Sequence, residues 1–155
     1  MGNLLINGDV HFVKGKDPVA DFNDTAAYSD VIEVMGDGIG FLYYKGVSAG
    51  ADAAVITVVA CDDTTPATSS AVPFWYKVVS TTDSGWTAAT TTGFTVTSGS
   101  SQLYEIRAPK DVFASTGYKY CRLVATEGAD HAVVGAIVAF VYGLRYGPQP
   151  TSLID

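Results

Sequence analysis

The sequence is poor in charge and poorer still in the residues that build helices. Only 16% of its 155 residues are Asp, Glu, Lys or Arg. There are 3 Glu and 7 Leu, against 19 Val and 16 Thr. Glu and Leu favour helices, whereas β-branched Val and Thr favour pleated strands, so this balance argues against a mainly helical fold. Low charge with 48% hydrophobic residues excludes a disordered chain. The 6 Lys and 3 Arg form no basic run, and 16 acidic residues bring the net charge to −7. DNA affinity comes largely from Lys and Arg on phosphates, so neither a nucleic acid nor an anionic membrane surface is expected as a partner. A partner carrying a basic patch suits the overall charge better.

Long apolar runs are missing too. The longest is Ala132–Leu144, thirteen residues that include Gly135 and Gly143, and a spanning helix needs about twenty. It reads as one long or two short buried strands. The segment Met1-Gly2-Asn3-Leu4-Leu5-Ile6-Asn7 has no basic n-region, so no secretory signal is expected. Ile6 stands where a myristoylation start would carry Ser or Thr. Cys61 and Cys121 are the only cysteines. Without a secretory signal they are expected as free thiols buried in strands.

The inventory of reactive groups is thin. His11 and His131 have no second histidine at metal spacing. No Gly-x-Ser-x-Gly elbow is present. The cysteines lack a CxxC motif, and apart from Arg122 they lack a cationic sequence neighbour that would activate a thiolate. Gly36-Asp37-Gly38-Ile39-Gly40 misses the dinucleotide spacing and opens no helix, so it reads as an Asp-Gly hairpin turn. Asp62-Asp63 lacks the further oxygen ligands that calcium needs and reads as turn-forming. Glu33 and Glu105 sit in alternating strands, and Glu127 follows a strand end. A glycosidase pair is not the default reading of such positions. No catalytic residue, metal or cofactor is expected, and the chain is read as a non-enzyme.

What is present is a succession of strands and turns. Residues 1–27 differ from the rest, with Asn7-Gly8-Asp9 and Lys14-Gly15-Lys16-Asp17-Pro18 between short apolar pieces. They read as an arm, with a short strand at Val10–Val13, that either meets a partner or wraps its own domain. Residues 28–146 read as one β-sandwich domain of about eight antiparallel strands. One short helix is predicted at Pro109–Ser115, with Pro in its first turn and Gly117 as its stop. Residues 147–155 read as an extended tail. Aromatics are spread over all the strands. Alternation sets Phe74 and Tyr76 on one face and Trp75 on the other, so one set faces the core and the other is open to a partner.

The order Cys61…Trp75…Cys121 is similar to that of immunoglobulin domains. Lys119, however, stands where the tyrosine corner needs Tyr, so an Ig-like sandwich is the alternative architecture. A second resemblance rests on a longer set of segments. These are Ala60-Cys61-Asp62-Asp63 with Thr65-Pro66, Val72-Pro73-Phe74-Trp75-Tyr76, Trp86 with Gly93-Phe94, Gly117–Leu123 with Thr126-Glu127, and the strand ending Leu144-Arg145-Tyr146. Together they resemble the head decoration (cement) proteins of tailed bacteriophages. That resemblance implies a jelly-roll-like sandwich on the capsid exterior of a virion, bound to the major capsid protein and often trimeric. It assigns no catalytic or binding residue. On this reading the apolar arm residues Leu4, Leu5, Ile6, Phe12 and Val13, with Trp86 on a Thr-rich loop, are the interface candidates. The alternatives are a tail, adaptor or fibre component of a virion, and a carbohydrate-binding sandwich using exposed aromatics.

Overall fold

The computed structural model describes residues 10–22, 24–48, 53–79, 82 and 84–144. Twelve strands run along them: β1 (Val10–Val19), β2 (Ala26–Tyr28), β3 (Ile32–Glu33), β4 (Gly38–Ser48), β5 (Val55–Cys61), β6 (Ser69–Val72), β7 (Phe74–Val79), β8 (Thr87–Ala89), β9 (Phe94–Thr95), β10 (Gln102–Pro109), β11 (Tyr120–Thr126) and β12 (Val133–Tyr142). Eight have four or more residues, and the other four have two or three. The first sheet runs β1-β12-β4-β10-β7-β8; the second runs β2-β11-β5-β6, with β3 also beside β11 and β9 beside β5. Every pairing is antiparallel. The chain is an all-β, two-sheet antiparallel sandwich.

Alternation builds the core. In the first sheet Ile39, Phe41, Tyr43, Phe74, Tyr104 and Ile106 point inward; in the second, Ile56, Val58, Ala60, Cys121 and Leu123 do. They join one apolar cluster, the usual result when two sheets each bury one face. Tyr43 and Tyr104 bring hydroxyls into this core, and that of Tyr104 accepts a hydrogen bond from Thr97 N–H at 2.9 Å. Phe94 lies between the sheets, stacked on Tyr76 with ring centroids 3.8 Å apart and 3° between planes.

Several expectations change. Within segment 1–27, β1 forms seven residue pairs with β12, and Phe22 and Ala27 enter the core. The described part of this segment therefore wraps its own domain. Phe22 packs over Gly135, where an added Cβ would stand 2.7 Å from its ring. Strand β5 alternates between half-buried and buried residues as far as Ala60, so one face of it meets the core. Residues 36–38 do turn, with Gly36 at φ +58° against the Tyr142 and Gly143 backbone. Yet β3 pairs with β11, so this turn carries the chain from one sheet to the other and closes no hairpin. The helix at 109–115 is a single 3-10 turn, Lys110–Phe113. Its N-cap, Pro109, still belongs to β10 and makes no side-chain capping bond, so little stabilises a longer helix.

The immunoglobulin-like order does not produce the immunoglobulin arrangement. Cys61 and Cys121 lie on neighbouring strands of one sheet, where Cys61 faces Tyr120 and Cys121 faces Ala60. A one-residue offset puts their side chains on opposite faces, so no disulfide can join them. Both are free and buried. Trp75 is 40% exposed and packs over no cysteine pair. Residues 147–155 lie outside the described residues.

Candidate interaction surface

The outward face of the first sheet gathers side chains that lie far apart in sequence. Strand register sets Arg107 opposite Trp75 on one side and Gly40 on the other. Gly40 in turn faces Phe140, and Phe140 faces Phe12. A Cβ on Gly40 would enter the Phe140 ring, so glycine is what lets that ring lie flat over the sheet. The next row is Lys77, Glu105, Leu42, Val138 and Lys14, followed by Val79, Leu103, Tyr44 and Ala136. Phe12, Tyr44, Trp75, Trp86, Val134 and Val138 are six of the nine exposed large hydrophobics among the described residues. Cross-strand rows of aromatic and aliphatic side chains also stabilise the sheet itself.

An ion triad sits in the middle. Glu105 binds Lys77 through Oε2 at 3.1 Å and accepts from Arg107 through Oε1, Nε at 2.7 Å and Nη2 at 2.6 Å. The Glu105 side chain is 13% exposed while that of Arg107 is 46% exposed. The Arg107 guanidinium lies 5.3 Å from the Trp86 ring centroid, 5.5 Å from Tyr142 and 5.9 Å from Phe140. Lys77 Nζ lies 5.3 Å from Trp86. The cations are thus held over π-faces and fixed by one carboxylate. Burial raises the Tyr142 hydroxyl pKa, Arg107 partly offsets this, and Asp37 and Asp111 add to it. Those two acids border this end of the face.

The structure divides the sequence-derived interface candidates. Phe12 and Trp86 lie on this face, at 48% and 45% exposure. Val13 does not; it is buried in the core, because neighbouring residues of a strand point to opposite sides. Leu4, Leu5 and Ile6 lie outside the described residues. Sequence reasoning missed Arg107, Lys77, Phe140 and Tyr142. One signal was available: Glu105 and Arg107 are two apart on a strand, which puts opposite charges on one face.

Other candidate groups are engaged locally. Asp62 accepts from Thr68 N–H and Asp63 from Thr64 N–H, both as turn-forming side chains. Glu127 accepts from the backbone N–H groups of Thr25 and His131. Glu33 lines an open cleft of about 670 Å³ with Lys110, Asp111, Tyr118 and Lys119, well separated in the topology from Glu105. Among the described residues, no group of three or more His, Cys, Asp or Glu could hold a metal. No helix among them is long and apolar enough to cross a membrane. Burial raises the Cys61 thiol pKa, Arg122 partly offsets this and Asp62 adds to it; burial holds Cys121 well above the ordinary thiol range. No family model, curated protein or solved structure matches this chain.

Proposed function

We propose that this protein is a non-enzymatic structural module that docks on a protein shell through the outward face of its first sheet. One observation carries the reading: six of the nine exposed large hydrophobics among the described residues lie on that face, which also carries an arginine tied to Glu105 and set over three aromatic rings. Trp, Tyr and Arg are the residues that most often supply interface energy, and monomers seldom leave such residues clustered in water. The resemblance to phage head decoration proteins supports a capsid exterior as the setting, with the major capsid protein as partner and a trimer as the assembly. The test is cosedimentation of the full chain with purified capsids of its source particle. Occupancy of the wild type, lost in the double variant Trp75→Ala/Trp86→Ala, is the expected result. Equal occupancy by wild type and variant removes this face from the reading; absence of wild-type binding removes the capsid.

Exposed tryptophans on a sheet face also suit stacking on sugar rings. That favours a carbohydrate-binding module as the second reading. A glycan array with wild-type hits that vanish in the same double variant would select it.

A further inference from the structure

Charges on and around this face balance one another. They fall into three groups. At the β1 edge Lys14, Lys16, Asp17 and Asp30 line a cleft beside Tyr28, and the Lys14 amine reaches Asp17 at 3.4 Å. At the centre Lys77 and Arg107 both bind Glu105. At the turn end Asp37 and Asp111 act on the Tyr142 hydroxyl, and Lys110 N–H donates to the Asp37 carbonyl at 2.9 Å. The first group has two cations and two acids, the second two and one, the third one and two. Among the described residues the face and its borders therefore carry no net charge, although the whole chain stands at −7.

A charged partner of either sign meets its like here. Basic groups would approach Lys77, Lys110 and Arg107. A carboxylate set on Arg107 would stand near Asp37 and Asp111, since all three act on Tyr142. Like charges brought together at an interface cost free energy, so an excess of either sign is disfavoured. The apolar content remains. From Phe12 to Trp75 the aromatic row crosses five strands, about 19 Å of sheet at about 4.8 Å per strand. Val134 and Val138 add exposed aliphatic surface that offers no hydrogen bond to a sugar hydroxyl.

Arg107 adds one polar requirement. A guanidinium has five N–H donors. Two of them, on Nε and Nη2, are taken by Glu105 Oε1. The other three have no hydrogen-bond acceptor among the described residues, and water serves them in the free protein. A partner that covers the surrounding rings expels that water, and an unpaired buried donor is costly. A neutral oxygen satisfies these donors without bringing a further negative charge towards Asp37 and Asp111.

We infer that the partner of this face is an aromatic or aliphatic protein surface without excess charge, which sets a main-chain or amide carbonyl oxygen on Arg107. The inference rests on the reading of this face as the docking surface. At this face it replaces the basic partner that the overall charge favours.

The test uses the full-length chain as bait for a random-peptide display library, followed by affinity measurements on the enriched peptides. Wild type is expected to enrich peptides rich in aromatic and aliphatic residues and poor in charged ones. Their Kd should change by less than about twofold between about 50 and about 500 mM salt, because charges already compensated leave little to screen. Trp75→Ala/Trp86→Ala should weaken binding by about tenfold or more. Arg107→Met and Arg107→Lys should each weaken it by about fivefold, since neither keeps the planar fork of donors. The Lys variant keeps the test decisive if the Met variant does not fold. An acidic, basic or absent consensus from wild type overturns the inference, as does a Kd that moves more than about fivefold with salt. Wild-type affinity in both Arg107 variants overturns it too. Self-association lost in the double tryptophan variant, seen by sedimentation, overturns it in favour of a second copy. Glycan binding that displaces the peptides overturns it in favour of a carbohydrate. Peptide binding unchanged in the double tryptophan variant removes the docking face itself. Capsid cosedimentation is scored separately: its failure beside an apolar consensus removes the shell and leaves the uncharged partner standing.

Discussion

On the outward face of the first sheet, Trp75, Trp86 and Phe12 share the surface with an ion triad; on that of the second, Val55, Thr57 and Val59 stand half-buried and uncharged. The second face has its own cation–ring pair, Arg122 with its guanidinium 4.5 Å from the Tyr28 centroid. That arginine is more enclosed, and its Nε is buried with no hydrogen-bond partner. Arg107 is half exposed, tied to a carboxylate and ringed by three aromatics. The two sheets share one backbone pattern and one core. They differ in what the solvent-facing half of each alternation carries. Short β-branched side chains line much of the second sheet around Arg122 and Tyr28, whereas the first exposes large rings beside the half-exposed Arg107 guanidinium.

Several measurements can break or sharpen this contrast. The largest effect belongs to the core that both faces share. Ile106→Ala in the first sheet and Leu123→Ala in the second should each cost about 2–5 kcal/mol in denaturant unfolding. A cost confined to one of them would mean that the sheets do not share a core.

Next comes Glu105→Gln. It leaves Lys77 and Arg107 side by side without their neutralising carboxylate and should cost about 1–2 kcal/mol, partly screened by solvent. The loss should grow as salt falls; no salt dependence would argue that the triad is not coupled.

Alkaline pH probes the second sheet. Burial raises both thiol pKa values in the folded state. Below about 8.5 the thiols are protonated in folded and unfolded chains alike, and their contribution is fully present. As pH rises beyond that, unfolded thiols ionise first, so folded stability falls. The slope should shrink in Cys61→Ala/Cys121→Ala, measured against wild type at matched pH.

The smallest effect separates the faces most directly. Tyr28→Ala removes the Arg122 ring contact and should cost about 0.5–1 kcal/mol while leaving partner binding unchanged. Trp86→Ala should cost as little stability but weaken partner binding by about tenfold or more. Equal binding losses from both would erase the distinction between the faces.

Much of this was readable from residue order. Val and Thr excess and frequent turn residues gave strands, and the apolar run Ala132–Leu144 overlies β12. Alternation separated Phe74 from Trp75, and the structure turns Phe74 inward and Trp75 outward. Phe12 and Trp86, named as interface candidates on the resemblance, are exposed on the outward face of the first sheet. The failures have physical causes. The helix candidate at 109–115 had a proline start and a glycine stop but no side-chain cap, and Pro109 was held by strand pairing. Val13 was apolar and near Phe12, but adjacency in a strand means opposite faces.

The sequence by itself determined a β-rich chain, the division of its alternating strands into two faces, and the absence of motifs for familiar chemistry. Those follow from local propensity and a period of two, which need no knowledge of neighbours. Only the tertiary structure decided that β1, near the start of the sequence, pairs with β12, near its end. It also brought Phe12, Phe140, Gly40, Arg107 and Trp75 into one row. Strand order and register come from nonlocal packing of both sheets on one core, and short-range pattern does not encode which strand lies beside which. The protein's overall charge is the sum over its residues, but the charge that a partner meets is set by that register.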